Sequence, residues 1–303
     1  MMRRIFLTVA AALAIAGCAQ NNKPETEQQT DWSKSVVYEF NTRQYTPEGT
    51  FAAAAKELPR LKELGVDIVW VMPLYPIGEK GRKGTLGSYY AIRSYTDVNP
   101  EFGTLADFDA FVAKAHECGL KVIIDWVANH TSPDHPWVAE KPDDWYYRDA
   151  EGNTIIEYDW SDIAKLNYAN ADMRKAMQEA MTFWIDRGID GFRCDAADFV
   201  PFEFWKQCVD ALRAIPDHKL LMLAEGSRKD HFDAGFEMNY AWHYLATLRR
   251  VFGNFGPSTG VDMSDPRYAN VNAASLIEVD ESEYDGVPEG CVKLRFITNH
   301  DEA

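Results

Sequence analysis

Short apolar runs with no internal alternation recur along this chain, and stretches of helical periodicity separate them. Seven such runs read as strands: residues 36–40, 68–72, 121–127, 191–195, 220–225, 236–240 and 292–297. Strands that are apolar throughout have both faces covered, as in a parallel sheet layered by helices. Helical periodicity predicts helices over 51–64, 105–118, 171–187, 202–214 and 242–252, with Gly65 and Gly119 stopping the first two. Strand and helix alternating in this way argues for an α/β chain built as a (β/α)8 barrel, interrupted by an insertion at 131–170. An open doubly wound sheet would carry a glycine-rich phosphate loop after its first strand. Asn41-Thr42-Arg43-Gln44 is not such a loop.

The strand ends carry the reactive side chains. In Gly191-Phe192-Arg193-Cys194-Asp195, Arg193 and Asp195 alternate onto one face of the strand. Taken alone, the pair is either a catalytic anion with a fixed cation beside it or an ion pair that ties a strand to a loop. Three other segments decide between these readings: Asp125-Trp126-Val127-Ala128-Asn129-His130, Leu223-Ala224-Glu225-Gly226, and 296–301 with Asn299-His300-Asp301. In a barrel all four open onto one mouth. Carboxylates, an arginine and two histidines in register with successive strand ends point to catalysis.

These four segments resemble, in the same order, the conserved regions of the α-amylase superfamily of glycoside hydrolases. The resemblance runs from about Val36 to the end of the chain. It implies a retaining mechanism in which Asp195 is the nucleophile, kept ionised by Arg193, and Glu225 is the general acid/base with a raised pKa. It assigns Asp301 to the third carboxylate, which grips sugar hydroxyls, and His130 and His300 to hydroxyl contacts. Tyr90, in Gly87-Ser88-Tyr89-Tyr90, matches the tyrosine that stacks on the same sugar. Asp125 is read as orienting Arg193 through a buried pair.

Three features depart from the family pattern. Asp198 and Phe199 stand where many members have Lys-His, so the usual contacts to the leaving-group sugar are missing or replaced. Within Ile163-Ala164-Lys165-Leu166-Asn167, Lys165 occupies a position where many members place an aspartate that binds Ca²⁺ together with an asparagine like Asn129. An ammonium cannot coordinate a cation, so a structural Ca²⁺ at Asn129 is a minor expectation; the chemistry requires no cofactor. Family barrels also continue through an eighth strand and usually a β-sandwich, so the resemblance implies a C-terminally shortened chain.

The remaining readings concern location and partners. Arg3 and Arg4 precede an apolar run to Ala16, then Gly17 and Cys18, the layout of a bacterial lipoprotein signal with Cys18 lipidated. The expected organisation is a leader (1–18), a flexible tether (19–34), a barrel (35–130 and 171–303) and an inserted subdomain (131–170). The protein is expected at the cell envelope, on the outer membrane, held by its lipid anchor. The formal charge of −16 excludes nucleic acid as a partner. Cys118, Cys194, Cys208 and Cys291 are expected to be free thiols, since their spacing fits no zinc site. The substrate expectation is starch-derived α-1,4-glucan or malto-oligosaccharide. Transglycosylase or α-glucosidase activity is the alternative within the family, and an inactive glycan-binding lipoprotein the alternative outside it.

Overall fold

Among the described residues nine strands follow one another: β1 (Val37–Phe40), β2 (Ile68–Val71), β3 (Lys121–Val127), β4 (His130–Thr131), β5 (Ala164–Lys165), β6 (Gly191–Asp195), β7 (Leu221–Ala224), β8 (Met238–Tyr240) and β9 (Val292–Leu294). The structure is a computed structural model that describes residues 31–254, 256–258 and 260–302. Seven strands make one sheet in the order β1-β2-β3-β6-β7-β8-β9, parallel at every pairing. Strict sequential order with parallel neighbours is the (β/α) barrel arrangement expected from the pattern of apolar runs. The expected leader and Cys18 lie outside the described residues.

Period-two alternation assigns the two faces of this sheet. Val69, Val71, Val122, Ile124, Trp126, Phe192, Cys194, Met222 and Ala224 share one buried cluster with helix residues such as Phe108, Phe111, Met181, Trp184 and Trp205. Ile68, Trp70, Ile123, Leu221, Leu223, Met238 and Tyr240 form a second cluster on the opposite, interior face. Asp125, Arg193 and Asp195 have the parity of this second set, so they point into the interior. Gly191 shows how tightly the strands approach there. It sits at φ 151°, and a Cβ added to it would lie 1.9 Å from the Leu221 carbonyl oxygen, so only glycine fits.

The helices follow expectation with three differences. The stretch expected as one helix over 51–64 is broken into Phe51–Ala54, a 3-10 turn Ala55–Glu57, and Leu58–Glu63. Pro59 is the physical reason, because its ring lacks an N–H and clashes with a preceding helical turn. The region 254–290, expected to be irregular, contains the helix Ser275–Tyr284. Its only buried residue is Glu283, so it has no apolar stripe for the sequence to display. The tether expectation also ends too late: Trp32–Lys34 form a 3-10 turn, and Trp32 packs against the interior cluster. Cys118, Cys194, Cys208 and Cys291 are free thiols.

The insertion closes on itself at its base. β4 pairs antiparallel with β5, His130 against Lys165, and the Leu166 N–H donates to the Asn129 carbonyl at 3.1 Å. The inserted residues therefore leave β3 and return to it at one point, beside the C-terminal end of the sheet.

Candidate active site

Arg193 is the hub. Its register partner on β3 is Asp125, and on β7 it is Leu223. The guanidinium is fully buried and meets three carboxylates: Nη1 lies 2.9 Å from Asp125 Oδ1 and 2.9 Å from Asp195 Oδ1, and Nη2 lies 2.8 Å from Glu225 Oε1. Nε donates to the Tyr240 hydroxyl at 3.2 Å, and the Trp70 ring lies against the guanidinium, 4.7 Å from Cζ to the ring centroid. The structure thus brings the expected nucleophile and acid/base to one cation. Asp125 is the orienting partner that the sequence reading made it. It is fully buried and also accepts from Trp70 Nε1 (3.1 Å) and the Tyr90 hydroxyl (3.0 Å).

Glu225 is held by β6 as well. Its Oε2 accepts the Ala196 N–H at 2.7 Å, and its carbonyl accepts the Ala197 N–H at 3.0 Å. Ala196 has φ 44°, a left-handed conformation that a residue with a Cβ adopts at a cost. That turn aims the amide at the acid.

Tyr90 and His300 form the opposite wall. Their rings stack at 5.3 Å and 15°, and the Tyr90 hydroxyl is 2.8 Å from His300 Nε2. His300 Nδ1 is 2.6 Å from Glu39 Oε1, and Nε2 is 3.4 Å from Asp301 Oδ2. The Tyr90 hydroxyl donates to Asp125, so the Tyr90 oxygen and the Glu39 carboxylate flank the two ring nitrogens of His300. His130 is buried with its Nδ1 3.3 Å from the Asn129 amide nitrogen, and its Nε2 has no well-formed hydrogen bond among the described residues. Glu39, Trp70 and Tyr240 belong to this site and were not singled out in the sequence. The available signal was parity: each stands on a sheet strand, and Trp70 and Tyr240 share the interior cluster.

Burial dominates the electrostatics. It raises Asp195 well above the usual carboxylate range, the Glu225 charge adds to the rise, and Arg193 opposes it. Arg193 pulls in the direction expected of it, toward the ionised form, and burial sets the net direction upward. Burial likewise raises Asp125 to about 6, against the pull of Arg193 and His300, and raises Asp301, with His300 opposing. For His300, burial is the largest single effect and lowers the pKa, but Glu39 and Asp301 outweigh it and the net shift is upward.

Buried neutral histidines give this region a pH signature. Burial lowers His130 to about 4 and His135 to about 3. A folded pKa below the unfolded value means stability is complete above about pH 6.5 and lost as pH falls toward the folded pKa. Asp125 and Asp195, shifted upward, work in the opposite sense over the same window. His130→Asn is expected to lose about 2 kcal/mol less than wild type between about pH 7 and 4.5, measured by urea unfolding. Parallel losses in the two proteins would contradict a buried neutral His130.

The departures seen in the sequence have structural counterparts. Asp198 turns toward the loop behind Glu225. Its carboxylate accepts the Ser227 N–H (3.1 Å) and the Arg228 N–H (3.3 Å) and lies 3.4 Å from His231 Nε2. Gly226 leaves room for it, since a Cβ there would sit 2.3 Å from Asp198 Oδ1. Phe199, the next residue, faces outward. Lys165 forms an ion pair with Glu157 and shares with Asn129 the wall of a cavity of about 320 Å³. An ammonium and one neutral amide do not fit a hard divalent cation, which needs several anionic or carbonyl oxygens. Among the described residues no group of three or more His, Cys, Asp or Glu is arranged to hold a metal. The minor expectation of Ca²⁺ at Asn129 gains no support from these side chains.

The catalytic-domain model of the α-amylase family matches residues 25–153 and 140–303. The crystal structure of an α-amylase from Lactobacillus plantarum superposes with a TM-score of 0.80 at 35% identity, covering 91% of this chain and 65% of that one. That of the maltogenic α-amylase AmyB from Thermotoga neapolitana gives 0.76 at 33% identity, covering 90% and 61%. Among curated proteins, the α-amylase MalA of Haloarcula japonica is 30% identical, over 89% of this chain and 39% of that protein. A trehalose synthase of Pimelobacter is 28% identical, over 91% and 56%. The chain thus spans about half the length, or less, of these curated relatives.

Proposed function

The chain belongs to the α-amylase catalytic-domain family, and on that premise we propose that it is a retaining glycoside hydrolase cleaving α-1,4 bonds of starch-derived glucans or malto-oligosaccharides. The observation that carries the reading is Arg193 joining Asp195 and Glu225 at adjacent strand ends, faced by the Tyr90–His300 wall. Asp195 attacks the anomeric carbon and forms a glycosyl ester while Glu225 protonates the departing glycosidic oxygen. Glu225 then deprotonates a water that attacks the same carbon, which releases the sugar and regenerates Asp195. The productive form of the pair has its proton on Glu225. Each Glu225 oxygen accepts one contact, from Arg193 and from the Ala196 amide, which leaves the O–H of the protonated acid to donate to the glycosidic oxygen. Asp301 beside His300, together with His130, supplies partners for the hydroxyls of the bound sugar.

Glu225→Gln separates the acid's role from the nucleophile's. Cleavage of maltoheptaose is expected to fall about 10²–10⁴-fold. Formation of the glycosyl ester from α-maltosyl fluoride should fall far less, because fluoride leaves without a proton. Similar losses on both substrates would remove Glu225 from the acid role. A product profile on maltodextrin, pullulan and cyclodextrin distinguishes hydrolysis from transfer and fixes the linkage.

The anchoring expectation stands beside this reading as a proposal: Cys18 is lipidated and holds the protein at the outer membrane of the cell envelope. Its support is the basic, apolar and Gly17-Cys18 pattern of the leader. Metabolic labelling with a radioactive fatty acid should mark the wild-type chain and not Cys18→Ser; label on both would contradict it.

A further inference from the structure

Glu39 is a carboxylate on the interior face of the first strand. Val37, two residues before it, packs against the interior cluster, and strand alternation puts Glu39 on the same face. Its register partner on β2 is Trp70, whose ring covers the Arg193 guanidinium and whose Nε1 donates to Asp125. A carboxylate drawn into such surroundings costs free energy unless it is paired. The partner comes from the far end of the chain: Oε1 lies 2.6 Å from His300 Nδ1, with both side chains largely out of water. No step of the proposed reaction uses Glu39.

The contact governs what His300 presents to the site. The ring is stacked on Tyr90 and meets Trp70 edge-on, at 6.0 Å and 75°. Such contacts fix the plane of an imidazole but not which edge faces which way, because its terminal torsion is two-fold. The hydrogen bond at Nδ1 makes that choice. An ionised carboxylate only accepts, so the contact places a proton on Nδ1 and ties that edge to β1. Nε2 is then the nitrogen facing the Tyr90 hydroxyl at 2.8 Å and Asp301 at 3.4 Å. The charged groups acting on the ring are Glu39, Arg193 and Asp301; burial and Arg193 lower its pKa, and the two carboxylates raise it. Through Tyr90 and Asp125 the chain of contacts from Glu39 ends at Arg193.

We propose that Glu39 is the positioning residue for His300: it sets which ring nitrogen faces the bound sugar and so holds the Tyr90–His300 wall in place opposite Asp195 and Glu225. The proposal rests on the glycosidase reading and deepens it, because it adds to that reaction a residue that acts through another side chain.

The test is a double-mutant cycle on the 303-residue chain with Glu39→Leu and His300→Asn, singly and together. Leucine fills most of the space and cannot accept the Nδ1 proton. Glu39→Leu is expected to lower kcat on maltoheptaose about 10²-fold, and about as far on α-maltosyl fluoride, because both substrates place the same sugar against His300. In the His300→Asn background the same substitution should change kcat by less than about threefold. A loss of equal size in both backgrounds, or none in either, overturns the proposal and leaves the glycosidase reading standing. Glu39→Gln, whose amide oxygen still accepts the hydrogen bond, serves as the second variant. It should keep most of the activity, while the titration midpoint of His300 falls by about one pH unit. The midpoint is read by NMR of histidine labelled at Cε1, with the His300 signal assigned by its absence in His300→Asn. An unchanged midpoint overturns the proposal. If the wild-type chain turns over neither substrate, the glycosidase reading falls, and the midpoint alone decides whether Glu39 holds His300.

Discussion

Asp195→Asn is expected to lower release of reducing sugar from maltoheptaose by about 10⁴-fold or more without lowering thermal stability. The two halves of this outcome have different causes. An amide of the same shape cannot form the glycosyl ester, so the covalent route closes. The folded state, by contrast, disfavours the Asp195 charge, because burial and the Glu225 carboxylate together outweigh Arg193. A neutral amide removes that repulsion, and Arg193 keeps Asp125 and Glu225 as partners. The melting temperature of the variant should equal or exceed that of wild type near neutral pH. Activity within about tenfold of wild type would remove Asp195 from the nucleophile's role. A marked fall in melting temperature would mean that Asp195 is held as a structural ion pair.

Arg193→Met should have the opposite balance, with a large loss of stability. Arg193 lies between three carboxylates in a fully buried position. A thioether fills part of the space and leaves the carboxylates facing one another with no cation. Breaking a buried ion pair from one side costs about 3–5 kcal/mol, and a cluster of three carboxylates is expected at the upper end. The deficit carries a pH signature. Asp125 and Asp195 already have raised pKa values with Arg193 present, and they rise further without it. Protonation then removes the unpaired charge, so the stability difference from wild type shrinks as pH falls. Urea unfolding at about pH 7.5 and pH 5 measures it. A loss below about 1 kcal/mol, or one independent of pH, would show that the three carboxylates do not depend on this cation.

What the sequence discloses here follows from the range of each interaction. The parallel strands were readable because burial of both faces leaves an apolar run with no alternation, and 121–127 is β3 to the residue. Arg193, Asp195 and Glu225 were readable because strand parity and strand ends are local properties. The roles of Glu39, Trp70 and Tyr240 were not, because each depends on a partner that only the closing of the sheet provides. Glu39 meets His300 across almost the whole length of the chain. The break at Pro59 is hidden because Leu58, Leu61 and Leu64 keep a helical spacing across it. The helix Ser275–Tyr284 was hidden because it buries almost nothing. The upward shift of Asp195 was not legible because the sequence displays the arginine two residues away but not the depth at which both groups are buried.

The central claim is that Asp195 becomes covalently glycosylated. The most direct measurement is mass mapping of the protein after incubation with 5-fluoro-α-glucosyl fluoride. Its ring fluorine slows breakdown of the glycosyl ester, and its anomeric fluoride leaves readily. A fluoroglucosyl adduct on the peptide that carries Asp195, absent in Asp195→Asn, is the predicted result. An adduct on the peptide carrying Glu225 or Asp301, or fluoride release with no adduct and inverted configuration of the product, would contradict it.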